Sequence, residues 1–83
     1  MDRAEIERIT NDFLVEEIEI DPEVLTSDAS LKDDLGIDSL DFVDIVVIVE
    51  RNFNFKIKAE EMANIVTLGS FYDYIEQKVN NKA

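Results

Sequence analysis

Two side chains that carry much of the chemistry of small proteins are missing. The chain of 83 residues has no cysteine and no histidine. Without cysteine there is no disulfide framework and no thiolate nucleophile, and the redox compartment is left undetermined. Without histidine the commonest acid–base residue and metal ligand is gone, and with it any Ser-His-Asp triad. Gly36 and Gly69 are the two glycines, so there is no glycine-rich loop to cradle a phosphate. No apolar run approaches the roughly 20 residues of a membrane-spanning helix. The opening Met1-Asp2-Arg3-Ala4-Glu5 lacks the basic region and apolar run of a signal peptide. The expectation is a soluble, cytoplasmic protein. Basic residues are also scarce, with 8 Lys and Arg against 20 Asp and Glu and a net charge of −12. Such a polyanion is repelled by nucleic acid and by anionic membranes, so neither nucleic-acid binding nor membrane insertion is expected. Its partners should carry basic patches, reached by electrostatic steering.

What remains is enough to fold. Hydrophobic residues make up 46% of the chain, which argues for a globule rather than disorder. The length fits one domain, residues 1–83, with a modest core. Ile6, Ile9, Phe13 and Leu14 recur at helical spacing and predict a first helix over residues 4–18. Ile18, Ile20, Val24 and Leu25 continue as apolar anchors around Pro22, before which the chain leaves the helix. A long loop then runs to about residue 38, and loops of that length are seldom idle in a small domain. Within it, residues 30–36 can form one helical turn ending at Gly36.

A second helix is predicted from Ser39 to about Asn52. Its β-branched run, Val43 to Val49, also suits a buried strand, but its length and charged flanks favour a helix. On a helical wheel Phe42, Ile45, Val46 and Val49, extended by Phe53, fall on the core side. Leu40, Val43, Asp44, Val47 and Arg51 fall on the other. An apolar strip with an acidic rim suits a protein-docking surface. Cover by the long first loop is the competing explanation. Residues 52–58 alternate in polarity but have no second run to pair with, so they read as an extended connector burying Phe53, Phe55 and Ile57. Residues 59–63 form a short third helix at most. Thr67 caps a last helix, whose Leu68, Phe71, Ile75 and Val79 face inward with Tyr72 nearby.

The stretch Asp33-Asp34-Leu35-Gly36-Ile37-Asp38-Ser39-Leu40-Asp41 holds the chemistry. Gly36 allows a turn, Asp38 is a good N-cap, and Asp41 sits in the first turn. Ser39 is thereby held on a rigid element with its hydroxyl toward water. Six acids and no base lie between Asp33 and Glu50. An EF-hand register with Gly36 sixth puts Leu31 first and Phe42 twelfth, so that motif fails. A glycosidase-type carboxylate pair needs a cleft for which a small bundle has little room. A Ser–Lys pair is formally open, but no lysine lies near Ser39 in sequence. The residues alone lead to a serine presented for modification by another enzyme, with an acidic, apolar-edged helix as that enzyme's landmark.

Asp34-Leu35-Gly36-Ile37-Asp38-Ser39-Leu40-Asp41 resembles the phosphopantetheine attachment motif of acyl carrier proteins. The likeness extends over almost the whole chain, including Asp28-Ala29-Ser30-Leu31, Arg51-Asn52-Phe53 and the final Thr67 to Ile75. It implies an all-α four-helix bundle with a long first loop and a short third helix. It implies a carrier and not an enzyme, with 4′-phosphopantetheine on Ser39, transferred from coenzyme A by a phosphopantetheinyl transferase and holding acyl groups as thioesters. The thiol that the chain lacks would then be imported. By the same resemblance Asp38, Leu40, Asp41, Val43, Asp44, Val47 and Glu50 dock acyl-transferring and chain-modifying enzymes. Phe42, Val46, Val49, Met62 and Ile65 are candidates to line an acyl pocket, and the protein is expected to be a monomer. Arg51 stands where fatty-acid carriers are often acidic. The connector carries Lys56 and Lys58 without the glycine or proline often found before the third helix. Both departures open specialised polyketide, lipid-modification or aminoacyl pathways beside fatty-acid synthesis. The alternative is an unmodified acidic adaptor of the same fold that binds other proteins.

Overall fold

Four α-helices supply most of the regular structure of residues 1–80, the part of the chain that its computed structural model describes. They are α1 (Arg3–Glu16), α2 (Ser39–Phe53), α3 (Ala59–Met62) and α4 (Leu68–Asn80), with a single 3₁₀ turn at Pro22–Val24. No strand occurs among the described residues, only one isolated antiparallel bridge, between Ser30 and Thr67.

Each long helix forms for a local reason and is buried along one stripe. Ile6, Phe13 and Leu14 of α1 are buried, as are Leu68, Phe71, Tyr72 and Ile75 of α4. These two stripes pack against each other and against Ile45, Ile48, Val49 and Phe53 of α2 in one core. The α2 stripe follows i, i+3, i+4, i+8, the spacing of one helical face. Ile48 joins it in place of Phe42 and Val46, which are half-buried at its edge. The buried stripe is thus turned slightly from the one the helical wheel predicts. Deleting one fully buried side chain such as Leu14 removes both its transfer energy and its packing, a cost of about 2–5 kcal/mol in other cores.

The helices end where their termini are satisfied. Asp38 has extended backbone, and its Oδ1 accepts from the N–H groups of Leu40 and Asp41, both at 3.0 Å. At the other end of α2, Asn54 takes the left-handed conformation (φ 63°) and its N–H reaches the Glu50 carbonyl. Thr67 Oγ1 accepts from the Ser70 N–H at 3.2 Å and caps α4. Helix α1 stops at Glu16, two residues short of the sequence expectation, and the chain reverses through Glu19 at φ 65°.

Helices α1 and α4 are also joined by charge. Arg3 bonds Glu7, Asp73 and Glu76, at 2.8, 2.6 and 3.1 Å, and lies over the Tyr72 ring. Its guanidinium is held above its ordinary pKa, first by the bond to Asp73. The Tyr72 hydroxyl donates to Asn11, and burial pushes its pKa up. Exposed pairs of this kind stabilise little one by one, but this set tethers α1 to α4.

The loop between α1 and α2 is fixed at its middle. Leu31 N–H donates to the Val66 carbonyl, Leu68 N–H to the Ala29 carbonyl and Gly69 N–H to the Ser27 carbonyl, each at 2.9 Å. Ala29, Leu31 and Leu35 point inward and are buried. Gly69 is where the backbones meet: a Cβ there would stand 3.0 Å from the Ser27 carbonyl oxygen. Helix propensity alone predicts that Gly69→Ala raises stability by about 0.5–1 kcal/mol. The close approach reverses that sign. Gly69→Ala is expected to lower the urea midpoint, and a raised midpoint would show that residues 27–31 are not held against α4.

Candidate functional site

The geometry around Ser39 begins with the turn that precedes it. Asp34 and Leu35 N–H groups both return to the Ser30 carbonyl, at 2.9 and 3.0 Å, and close one helical turn. Gly36 follows with φ +72°, a conformation that costs glycine little and other residues more. The Ile37 N–H then returns to the Leu31 carbonyl at 2.9 Å. Residues 31–32 and 37–38 are thereby brought side by side. Asp34 reinforces the turn by accepting from the Ser30 N–H at 2.7 Å, and Ser30 Oγ accepts from the Asp33 N–H.

Ser39 is the first residue of α2 and is exposed. The cap that starts the helix belongs to Asp38, so the Ser39 hydroxyl has no structural duty there. Ser39 makes no side-chain hydrogen bond among the described residues. A free hydroxyl on a fixed backbone suits attachment of a group from outside.

Ser39 lies on an open, mainly apolar cleft of about 670 Å³. Leu31, Ile37, Phe42, Met62, Ile65 and Val66 supply its apolar lining, with Lys32 and Asp33 at the polar side. Three of the five acyl-pocket candidates, Phe42, Met62 and Ile65, therefore border Ser39's own cleft. Val46 is half-buried and Val49 fully buried in the core, and neither lines it. The room that the sequence denied to a small bundle comes from the gap between the start of α2 and the short α3.

The outer face of α2 is bare. Leu40, Val43 and Val47 are 78%, 62% and 57% exposed. The long loop does not cover them, because its apolar residues are turned into the core. Asp38, Asp44 and Glu50 are exposed beside this strip, and Asp41 is half-buried. Arg51 is engaged by Glu17, with Nη2 at 2.9 and 3.0 Å from the two carboxylate oxygens. Its charge is largely matched inside the molecule.

Leu31, Ile37 and Val66 of the lining are absent from the acyl-pocket candidates, and so is one charged residue. Lys32 is seven positions before Ser39 in sequence, yet both line the same cleft. Gly36 was the available signal, since a left-handed turn there folds the chain back on itself. Among the described residues no group of three or more acidic side chains is placed to hold a metal ion. No helix among them is long and apolar enough to cross a membrane.

The chain has relatives among known proteins. Residues 12–75 match the family described as "Phosphopantetheine attachment site", a span that contains Ser39 and the whole of α2. The chain is 38% identical over 77 residues to an acyl carrier protein of Thermotoga maritima, covering 93% of this chain and 95% of that one. It is 34% identical over 76 residues to an acyl carrier protein of Porphyromonas gingivalis, covering 92% and 97%. With an acyl carrier protein of Bdellovibrio bacteriovorus it shares 37% over 67 residues, covering 81% and 86%. These are carriers rather than enzymes, and their prosthetic group is a covalently attached 4′-phosphopantetheine. An exposed, unbonded serine at the mouth of an apolar cleft fits such a group. On the family match, the coverage of its relatives and its four-helix fold, the chain belongs to the acyl carrier protein family.

Proposed function

We propose that residues 1–83 form one carrier domain that holds acyl intermediates on Ser39, in fatty-acid synthesis or a related polyketide, lipid-modification or aminoacyl pathway. The observation that carries this reading is the exposed Ser39, its hydroxyl free of hydrogen bonds among the described residues, at the capped start of α2 and on an apolar cleft. A 4′-phosphopantetheine arm on that hydroxyl supplies the terminal thiol for thioesters, which this chain lacks. Ser39 is the attachment point. Asp38 fixes the helix start and so the direction of the Ser39 side chain. Phe42, Met62 and Ile65 offer apolar cover next to the attachment point.

Leu40, Val43 and Val47 supply a dry contact for partner enzymes, among them a phosphopantetheinyl transferase. Asp41, Asp44 and Glu50 set the electrostatic rim. The net charge of −12 supports encounter with basic partners in the cytoplasm and separation from nucleic acid. Arg51 does not reverse the sign of this face, because Glu17 already balances it.

Two experiments test the reading. Incubation with coenzyme A, magnesium and a broad-specificity phosphopantetheinyl transferase should add the mass of one phosphopantetheine. Ser39→Ala should take up none while keeping its helical circular dichroism. No gain by the wild type with several transferases would favour the unmodified acidic adaptor, and uptake by Ser39→Ala would move the site elsewhere. For the docking face, Asp44→Lys should slow loading by a basic transferase about tenfold at low ionic strength. The difference should shrink as salt screens the charges. Equal rates for the two proteins at every salt concentration would remove Asp44 from the docking face.

A further inference from the structure

Four of the described basic side chains are matched by acids. Arg3 meets Glu7, Asp73 and Glu76, Arg8 meets Asp12, Arg51 meets Glu17, and Lys78 meets Glu61. Lys32, Lys56 and Lys58 have no ion-pair partner among the described residues. Of these three, Lys32 alone borders the cleft of Ser39, and it is the one base in that lining.

Its freedom is unexpected from composition, because acids surround it in sequence. Two of those acids are engaged with backbone amides, and the third, Asp33, makes no ion pair with it among the described residues. The Asp34 carboxylate is committed to the Ser30 N–H, and the Asp38 carboxylate to the Leu40 and Asp41 N–H groups. Meanwhile the bond from Ile37 N–H to the Leu31 carbonyl holds the backbone before Lys32 alongside the backbone before Ser39. The lysine is thus built into the rim of the cleft with its ammonium uncommitted. A phosphodiester on Ser39 would enter a neighbourhood containing Asp33, Asp38 and Asp41. Anion beside anion is unfavourable unless a cation intervenes.

We infer that Lys32 is a positioning residue for the modified carrier: its ammonium pairs with the phosphodiester on Ser39 and holds the arm's root across the mouth of the cleft. This rests on Ser39 as the attachment site. Lys32 offsets the acidic field at that point and directs the arm toward Phe42, Met62 and Ile65 rather than outward into solvent. The pair is solvent-facing, so salt weakens it, which leaves the arm free to swing out when a basic partner competes for the phosphate.

The test uses the full chain loaded with phosphopantetheine, with loading verified by intact mass. Phosphorus-31 spectra are compared for wild type, Lys32→Met and Lys56→Met, the last removing an unpaired lysine that is not in the cleft lining. The phosphodiester resonance should shift in Lys32→Met at low salt, remain at the wild-type position in Lys56→Met, and converge for all three at high salt. Identical spectra for wild type and Lys32→Met in loaded protein would overturn the role of Lys32 and leave Ser39 in place. Equal shifts in both variants would also overturn it, since they would reflect the overall field. Failure of the wild type to gain the arm's mass would overturn the Ser39 reading, and the inference with it.

Discussion

The short backbone pairing of residues 27–31 with residues 66–69 sets the geometry on which the site depends. Three hydrogen bonds, from Leu31, Leu68 and Gly69, join the middle of a long loop to the start of α4. Backbone groups buried without partners would cost more than these bonds return to water. Ala29 and Leu31 can therefore enter the core with the Ala29 carbonyl and the Leu31 N–H satisfied by the other segment. The pairing does two things at once. It seals the end of the bundle, and it fixes one flank of the cleft whose other flank is α2. Gly69 lets the two backbones come that close.

From that fixed point the site assembles over a few residues. The turn closed on the Ser30 carbonyl, the left-handed Gly36 and the return bond from Ile37 to Leu31 carry the chain back along itself. Asp38 then starts α2 by satisfying two free amides. Each device uses the backbone or a carboxylate that is consumed locally. Ser39 and Lys32 are spared such duties and stay available to a group from outside the chain. Division of labour between neighbours, Asp38 structural and Ser39 free, distinguishes this serine from an ordinary helix-capping one.

Much of this was legible in the sequence because it follows from local rules. The apolar spacing of α1 and α4, the caps Asp38 and Thr67, and the exposed positions Leu40, Val43 and Val47 come from helical periodicity and side-chain chemistry alone. The β-branched run in α2, equally suited to a strand, becomes helical because its buried stripe joins the core formed with α1 and α4, and no strand among the described residues is there to pair with it. Less legible were features that depend on distant segments. Ile48 is buried because the core wraps further round α2 than one wheel strip suggests. Lys32 reaches the site through a backbone reversal, and the pairing of Ser30 with Thr67 spans residues far apart in sequence. Arg51 read as a reversed docking charge, whereas Glu17 of the segment after α1 takes it up. Single-residue identity predicts charge, but not which neighbour will balance it.

The central claim is that the loop is fastened before any arm is attached, so that Ser39 is presented by a preformed site. Amide hydrogen exchange on the unmodified protein tests this most directly. The N–H groups of Leu31, Leu68 and Gly69 should exchange slowly and together, with protection close to that of the buried face of α4. Fast exchange of Leu31 and Gly69 at rates typical of open loops, while α1 and α4 stay protected, would contradict it. The flank of the cleft would then form only after the arm or a partner arrives.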